Sequence, residues 1–385
     1  MTTKDILCYG VKPYTNEISV YIHIPFCASK CSYCNFCSFA NCEQYIQAYT
    51  KSLCKEIEKK SKLFGYAKIK TIFIGGGTPS FLPSKNIIQI LDCLMANFNI
   101  PKDISITIEG NPNSLTKQKL KDFKLAGINR LSVGLQSSKQ NILNVLGRVH
   151  TTKDFVNSIE TANAVGFENI NADIIFGVPT QTQKDIQDTL NLLLSLPLKH
   201  ISAYGLILEP GTPLFKLVKK GVLKIPSDEE CNSMYDFVVQ TLANAGMHRY
   251  EISNFAYCGF EAEHNINYWQ RGQYLGLGLD AYSFVHGLHW QNTNNLQTYL
   301  KSDAKMLKQE PETMYTAKLE TIMLALRMDS GLDIQKFNSD FNTDFLSEFG
   351  QTVAKLKGLG LVKITNNHLL VLDQHISNAI IAEFA

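Results

Sequence analysis

The sequence predicts an α/β protein whose core is a parallel β/α barrel left incomplete at six strands, followed by a smaller α+β domain. Through the first 300 of the 385 residues, short apolar runs rich in β-branched residues alternate with stretches of helical period. Repeated strand-then-helix units require a parallel sheet, and six of them in roughly 200 residues favour a partial barrel over a short open sheet. The remaining residues do not continue this alternation.

The barrel elements follow from hydrophobic periodicity, which separates strands from amphipathic helices. Strands are expected at Val20–Pro25, Thr71–Gly75, Ser105–Glu109, Arg130–Leu135, Asn171–Phe176 and His200–Leu206. Helices are expected at Ser84–Phe98, Thr116–Ala126, Thr152–Val165 and Gln183–Leu196. Three glycines, Gly127, Gly166 and Gly246, stand where a helix would end on a left-handed residue.

The carboxyl-terminal part predicts three helices and a hairpin, a combination that resembles a winged-helix module. The helices are expected at Thr316–Met328, Asp333–Phe341 and Leu346–Lys357, and the hairpin strands at Leu361–Ile364 and His368–Leu372. We therefore predict a barrel domain over residues 1–300 and a helical and hairpin domain over residues 301–385. The polar stretch Ser302–Thr313, which contains Pro311, is the expected boundary region.

Composition limits the classes of function. Lys and Arg number 37 against 35 Asp and Glu, and because no basic stripe accompanies the net charge of +2, binding to nucleic acid is not expected. The start MTTKDILCYG lacks the features of a signal peptide, and the longest apolar patch, around Leu190–Leu198, is too short to span a bilayer. We expect a cytoplasmic protein without a transmembrane segment, and peripheral contact with a membrane stays open.

The cysteine pattern predicts a metal centre. Ten cysteines occur, and five of them fall between Cys27 and Cys42. In a reducing compartment such a group is more typical of metal binding or catalysis than of disulfides. The first strand runs directly into Cys27, Cys31 and Cys34, a C-x3-C-x2-C loop that can hold three irons of a cubane cluster and leave the fourth iron open. The alternative is a structural zinc site in which Cys37 or Cys42 supplies a fourth sulfur.

Polar residues and glycines recur at the ends of the predicted strands, where a β/α barrel places its functional groups. They are the run Gly75–Pro79 and the single residues Glu109, Gln136, Arg148 and Asp173. Each has an ordinary interpretation: a turn, an ion pair, a helix cap or a satisfied core polar group. Together they form a ring around one barrel mouth, suited to a zwitterionic ligand that carries a ribose.

These motifs, spread over residues 21–284, resemble the coproporphyrinogen dehydrogenase branch of radical S-adenosylmethionine (SAM) proteins. The resemblance implies that Cys27, Cys31 and Cys34 ligate a [4Fe–4S] cluster whose open iron binds the amine and carboxylate of SAM. The residues that match the SAM contacts of the family are Tyr21, Gly76, Gly77, Thr78, Glu109, Gln136, Arg148 and Asp173. Their chemistry fits, since Arg148 can bind a carboxylate twice and Asp173 suits ribose hydroxyls.

Within this branch, the chain is more similar to the heme-carrying members than to the porphyrinogen-oxidising enzyme. Phe36 stands where the enzyme has a fourth cysteine, and only twenty residues precede Tyr21. The segment His264–Trp269 matches an H-N-x-x-Y-W motif associated with heme binding, and it follows the matching segment Tyr250–Ala256. The resemblance implies heme contacts for His264, Asn265, Tyr268 and Trp269, with His264 as an axial ligand. The alternative is a buried structural histidine among core aromatic residues.

The expected function is heme carriage: the protein binds heme, hands it to an acceptor apoprotein and uses the SAM cluster in a coupled role. Two alternatives come from the enzyme class, an oxygen-independent coproporphyrinogen III dehydrogenase and a heme-degrading radical SAM methyltransferase. Fold alone does not decide between carriage and catalysis. Cys37 and Cys42 have no counterpart in the family pattern.

Overall fold

The computed structural model describes residues 11–12, 14–302 and 306–385. Six parallel strands form the core of the barrel, as predicted. They are β1 (Glu17–Ile24), β2 (Lys68–Gly76), β3 (Ser105–Gly110), β4 (Arg130–Gln136), β5 (Asn169–Phe176) and β6 (His200–Gly205). Each strand pairs with the next in chain order, from β1 beside β2 to β5 beside β6.

Six further strands extend this sheet on both sides, and the sequence analysis did not predict them. They are β7 (His248–Glu251), β8 (Asn254–Ala256), β9 (Tyr274–Leu277), β10 (Tyr282–Val285), β11 (Leu288–Asn292) and β12 (Met306–Pro311). Strand β9 runs parallel to β1, and the others join in antiparallel pairs. The twelve-stranded sheet has β12 at one edge and β7 at the other, so the barrel is open, which confirms the predicted incomplete barrel.

Helices cover the outside of the sheet. Those of the barrel domain are α1 (Ile46–Phe64), α2 (Ser84–Asn97), α3 (Lys117–Leu125), α4 (Gln140–Val145), α5 (Thr152–Ala164), α6 (Gln183–Leu194), α7 (Pro213–Lys219), α8 (Asp228–Asn244), α9 (Glu263–Trp269) and α10 (Leu296–Ser302). The four predicted helices agree with α2, α3, α5 and α6 to within two residues at each end. Gly127, Gly166 and Gly246 follow helices with φ of +90°, +96° and +84°, as expected for left-handed helix ends.

The carboxyl-terminal domain has its own apolar core and a three-stranded sheet. Its elements are α11 (Met314–Ala325), β13 (Leu332–Asp333), α12 (Ile334–Phe341), α13 (Phe345–Gly358), β14 (Val362–Thr365), β15 (His368–Val371) and α14 (Ser377–Ala382). The three predicted helices and the hairpin are all present. Asn366 and Asn367 form the hairpin turn with φ of +50° and +63°, a conformation that asparagine tolerates.

The predicted division after residue 300 does not coincide with the end of the first sheet. Helix α10 crosses that position, and β12 pairs with β11 as the edge strand of the barrel sheet. The separate apolar core of the second domain begins at Ala317. Residues 302–313 were expected to form a boundary because they are polar. Strand β12 lies within this segment and pairs at the sheet edge, where polar residues are well tolerated. Residues 303–305 of this region, like residues 1–10, lie outside the described part of the chain.

Ion pairs join the two domains, and the Arg271 pair with Glu312 is buried. The guanidinium of Arg271 lies against the carboxylates of Glu312 and Glu320, the latter at 2.6 Å, and Arg249 binds Asp329 at 2.9 Å. The side chain of Arg271 is almost fully buried, so removing a partner would leave a charge without compensation. In the described residues, we find no helix with the length and hydrophobicity needed to cross a bilayer.

Candidate cluster and cofactor site

The loop with the three cysteines begins where β1 ends, and neighbouring segments hold it in place. Phe26–Cys27 pairs with Phe39–Ala40 and closes the loop on itself. Ser32 donates hydrogen bonds from its amide to the carbonyl of Leu146 at 3.0 Å and from its hydroxyl to that of Val145 at 2.7 Å. The loop is therefore fixed against the chain that follows β4, independently of any bound group.

The three sulfur atoms differ in their surroundings. Cys27 is buried, whereas Cys31 and Cys34 are half-buried. Burial raises the pKa of the Cys27 and Cys34 thiols. Thr78 Oγ1 donates to Cys27 Sγ at 3.5 Å, and Arg148 Nη1 approaches Cys31 Sγ at the same distance. Because coordination to a metal removes the thiol proton, iron would overcome the raised pKa values.

Two glycines let neighbouring backbone lie directly against the cysteine loop. A Cβ atom on Gly77 would lie 2.9 Å from Cys27 Sγ, and one on Gly147 would lie 3.0 Å from the amide nitrogen of Ser32. Real Cβ atoms do not approach sulfur that closely, so any larger residue at position 77 would displace Cys27. Three cysteines on one fixed loop, with Cys31 at the wall of a cleft, fit a cubane cluster.

The alternative of a structural zinc site finds no support in the described residues. No three His, Cys, Asp or Glu side chains there come close enough to share one metal ion. A cubane spreads its ligands over separate irons and does not require such closeness. Cys37 Sγ is directed at the carbonyl of Asn294, 3.8 Å away, and Cys42 packs against the main apolar core. Neither is arranged as a fourth ligand.

Glu109 lies at the barrel mouth, at the end of β3. Its Oε2 accepts a hydrogen bond from the amide of Gly76 at 3.1 Å. Gly76 has φ of +114°, and a Cβ atom there would lie 2.7 Å from the His23 ring, so this position requires glycine. Burial, with the nearby charge of Asp173, raises the pKa of Glu109 to about 8. The free site therefore holds a carboxyl group that is mostly protonated at neutral pH.

Asp173, on β5, is held by two donors, one from the neighbouring strand β4 and one from β5 itself. Ser132 Oγ donates at 3.0 Å, and Asn171 Nδ2 donates at 2.8 Å. Asn171 is itself bound to His200 Nδ1 at 2.7 Å. An unpaired carboxylate would be costly in this apolar strand, and these donors stabilise it.

Arg148 and Gln136 meet around Gly134. Arg148 Nη2 donates to the Gly134 carbonyl at 3.0 Å and also binds Asn111 Oδ1. A Cβ atom on Gly134 would lie 2.6 Å from Gln136 Nε2 and 2.9 Å from Arg148 Nη2. Gln136 has φ of +71° at a shift in the β4–β5 register, which redirects its side chain at the strand end. The guanidinium is thus positioned between the cysteine loop and the barrel mouth.

Tyr21 lies deeper along β1. Its hydroxyl is 3.0 Å from His23 Nδ1, while His23 Nε2 is 2.8 Å from the carbonyl of Cys37. The Tyr21 ring stacks on Phe73 with 6.2 Å between centroids. This chain of contacts connects the barrel interior to the residues that follow the cysteine loop.

A cleft of about 330 Å³ opens beside the cysteine loop. Of the predicted residues, Cys31, Thr78 and Arg148 line it, together with Asn111, which the sequence analysis missed. Asn111 Nδ2 donates to Thr78 Oγ1 at 3.3 Å, so it joins the ends of β2 and β3 to Arg148. It follows Glu109 by two residues, and its position after a barrel strand was the signal that could have identified it.

His264, the expected axial heme ligand, lies inside the barrel. The segment is helical, as α9, and His264 and Tyr268 lie together on one face. However, His264 is 2% exposed, with Nδ1 2.7 Å from Thr71 Oγ1 and Nε2 2.9 Å from the Tyr268 hydroxyl. Burial lowers its pKa to about 3. Both ring nitrogens are thus engaged, and His264 would have to leave Thr71 and Tyr268 in order to ligate iron.

The other residues of this segment are more accessible. Asn265, Tyr268 and Trp269 are half-buried. The Trp269 ring faces the guanidinium of Arg327, 6.0 Å from the ring centroid, at the boundary with the second domain. The predicted heme contacts are thus split between an inward and an outward side of α9.

A partial parallel barrel with this cysteine loop and polar mouth defines a radical SAM protein, and the comparisons agree. The radical SAM superfamily model matches residues 21–193, and the HemN C-terminal domain model matches residues 316–374. The structure of coproporphyrinogen III oxidase (HemN) from Escherichia coli superposes with a TM-score of 0.85, over 99% of this chain and 92% of that chain. Its 22% identity supports a shared fold.

Sequence relatives identify the particular family. The heme chaperone HemW of Bacillus subtilis is 36% identical over 349 residues, which cover 89% of this chain and 92% of that protein. The heme chaperone HemW of Lactococcus lactis is 34% identical, over 88% of this chain and 89% of that protein. A zebrafish mitochondrial protein, radical S-adenosyl methionine domain-containing protein 1, is 39% identical over 74% of this chain and 64% of its own length. The chain belongs to the heme chaperone HemW family.

Proposed function

We propose that this protein binds heme and transfers it to an acceptor apoprotein, and that it carries a [4Fe–4S] cluster together with SAM. The observation that carries the proposal is the similarity to heme chaperones over about nine tenths of both chains. The barrel supplies the radical SAM part, with Cys27, Cys31 and Cys34 as the cluster ligands. The cluster would supply an open iron and one-electron chemistry when bound.

The residues at the barrel mouth would then bind SAM through complementary charges. Arg148 is proposed to bind the carboxylate of the methionine part, Glu109 the ammonium, and Asp173 the ribose hydroxyls. Gly76, Gly77 and Thr78 would border the ligand with their backbone, whose amides donate to Glu109, Ile24 and Phe26 in this structure. Tyr21 and Gln136 complete the set. Each of these contacts remains an assignment by family resemblance that the geometry supports.

Heme contact is proposed for Asn265 and Trp269 on the outward side of α9, and for the accessible part of Tyr268, whose hydroxyl is bound to His264. His264 would instead hold α9 against β2 through its bond to Thr71. An iron ligand is then needed from elsewhere, and His289 is a partly accessible candidate. Its ring stacks on Phe284 at 4.3 Å, about a third of its side chain is exposed, and Nε2 lies 3.7 Å from Glu320.

The test is a pair of anaerobic measurements on the reconstituted protein. A heme titration should show a Soret band that saturates near one heme per chain, and an acceptor apoprotein should then deplete it. Incubation with SAM, reductant and coproporphyrinogen III should give no steady product. Protoporphyrinogen formation over many turnovers would favour the dehydrogenase, and absence of saturable heme binding would refute heme carriage.

A further inference from the structure

Between β6 and α8 the surface carries exposed apolar side chains interspersed with exposed lysines, and we call residues 207–225 the lysine strip. Its exposed apolar residues are Ile207, at 72%, Leu217, Val222, at 65%, and Ile225. Its exposed lysines are Lys216, Lys219, Lys220 and Lys224. Among the described residues, none of these lysines forms an ion pair. Neither the family resemblance nor the proposed heme and SAM contacts assign a role to this surface.

The lysine strip is anchored beside the cysteine loop. The amide of Leu214 donates to the carbonyl of Ser32 at 2.8 Å, and Leu214 itself is fully buried. Thr212 caps α7 by accepting a hydrogen bond from the amide of Phe215 at 3.3 Å. With Leu214 facing inward, α7 presents Leu217 and its lysines outward. Because the strip follows the carboxyl end of β6, it lies at the same end of the barrel as the cluster loop.

Single exposed apolar residues are common, so exposure alone carries no meaning. The distinctive feature is the combination of four exposed apolar side chains with four unpaired cations in nineteen residues, where Glu209 is the sole acid. An acidic protein partner would satisfy the lysines but offers no general place for scattered apolar side chains. The boundary between lipid headgroups and acyl chains offers anions and an apolar layer together.

We infer that the lysine strip docks on an anionic membrane surface, with its apolar side chains in the acyl boundary and its lysines at the headgroups. Asp228, Glu229 and Glu230 follow the strip at the start of α8 and mark where it ends. Docking would turn the barrel mouth toward the bilayer, where a flat apolar ligand such as heme partitions. This last consequence rests on the proposed heme carriage, whereas the docking itself does not.

Vesicle sedimentation of the full, cluster-reconstituted chain without added heme tests this inference. The protein should bind vesicles of phosphatidylcholine with phosphatidylglycerol, should not bind pure phosphatidylcholine, and should release at high salt. K219E/K220E should weaken binding by at least about 25-fold, since each lysine near an anionic surface contributes about fivefold. V222S/I225S should also weaken binding, while its salt dependence stays as in the wild type.

Matched variants control for charge and hydrophobicity elsewhere. K59E/K62E makes the same charge change on exposed positions of α1, and L125S/L359S removes two exposed leucines outside the strip, so both should bind as the wild type does. Absence of wild-type binding to the anionic vesicles overturns the inference, as does equal loss in the control variants. Loss in K219E/K220E with full binding in V222S/I225S also overturns it and indicates an acidic partner instead.

A heme titration on each protein used for vesicle sedimentation distinguishes a failure of this inference from a failure of the proposed function. Heme binding without vesicle binding refutes the membrane inference alone, and vesicle binding without heme binding refutes heme carriage alone.

Discussion

The protonation state of Glu109 makes SAM binding depend on pH in a defined direction. Its pKa is raised to about 8 by burial and by the charge of Asp173, so the free protein holds this carboxyl mostly protonated at pH 7. A bound ammonium favours the ionised form. Below pH 8, binding of SAM must then displace the proton of Glu109. The contribution of Glu109 to SAM affinity should therefore rise about tenfold per pH unit and level off above pH 8.

The perturbation that tests this is Glu109→Gln, which keeps the shape of the side chain and removes its charge. Above pH 8 the variant should lose the charge-assisted hydrogen bond, worth about 1.5–3 kcal/mol or roughly 10- to 100-fold in affinity. Near pH 6 the two proteins should bind SAM within about threefold of each other, because the wild-type carboxyl is neutral there as well. The amine of SAM itself titrates near pH 8, so the ratio of the two affinities is the quantity to follow.

Equilibrium dialysis of SAM at matched iron content measures this ratio. Asp173→Asn supplies a second signature, because removing the neighbouring charge lowers the pKa of Glu109 and moves the rise in affinity to lower pH. A ratio that stays constant across the pH range would refute the assignment of Glu109 to the ammonium. Unchanged SAM affinity in both variants at every pH would refute the proposed site at the barrel mouth.

Three further predictions concern the cluster, the heme and the reaction. The reconstituted protein should contain about four irons and four sulfides per chain. Alanine at any one of the three loop cysteines should abolish this content, whereas Cys37→Ala should keep it. Chemical analysis that finds the cluster lost in Cys37→Ala and kept in a loop-cysteine variant would contradict the ligand assignment. His264→Ala should lower the free energy of unfolding by about 1–3 kcal/mol, because Thr71 and Tyr268 each lose a hydrogen-bond partner, and it should leave the Soret band of bound heme unchanged. A shifted Soret band at normal stability would contradict a purely structural role for His264. The protein should not convert coproporphyrinogen III. If Phe36→Cys introduced turnover of this substrate, the cysteine at that position would account for the difference between heme carriage and dehydrogenation.

The barrel could be predicted from the sequence because each strand and helix carries its own periodicity. The alternation of apolar runs and amphipathic stretches depends on local burial, so strands such as β2 and helices such as α5 were recognised without knowledge of their neighbours. The site residues were found for a related reason: in a parallel barrel the ends of strands far apart in sequence meet at one mouth, so Glu109 and Asp173 could be placed together from topology alone.

The side of α9 that faces the barrel could not be predicted in the same way. Helical period places His264 and Tyr268 on one face, but it does not state whether that face packs inward or binds a ligand. Strands β9, β10 and β11 were missed because they follow one another without an intervening helix, so the strand-then-helix alternation that located β1 to β6 is absent there. Strand β12 belongs to the barrel sheet only through its pairing with β11. These features depend on contacts between distant segments, which a local pattern does not encode.

The barrel interior contains many buried polar groups, and the number of partners each has distinguishes structural from functional ones. His200 is fully satisfied by Asn171 and the hydroxyl of Tyr250, both at 2.7 Å, and His264 is satisfied in the same way by two partners. A group with every bond made inside the protein gains nothing from a ligand. Glu109, by contrast, accepts one hydrogen bond among the described residues and holds its proton because no cation compensates its charge directly. By the same count of partners that finds His264 satisfied inside the barrel, Glu109 is the group whose charge a bound ammonium would compensate.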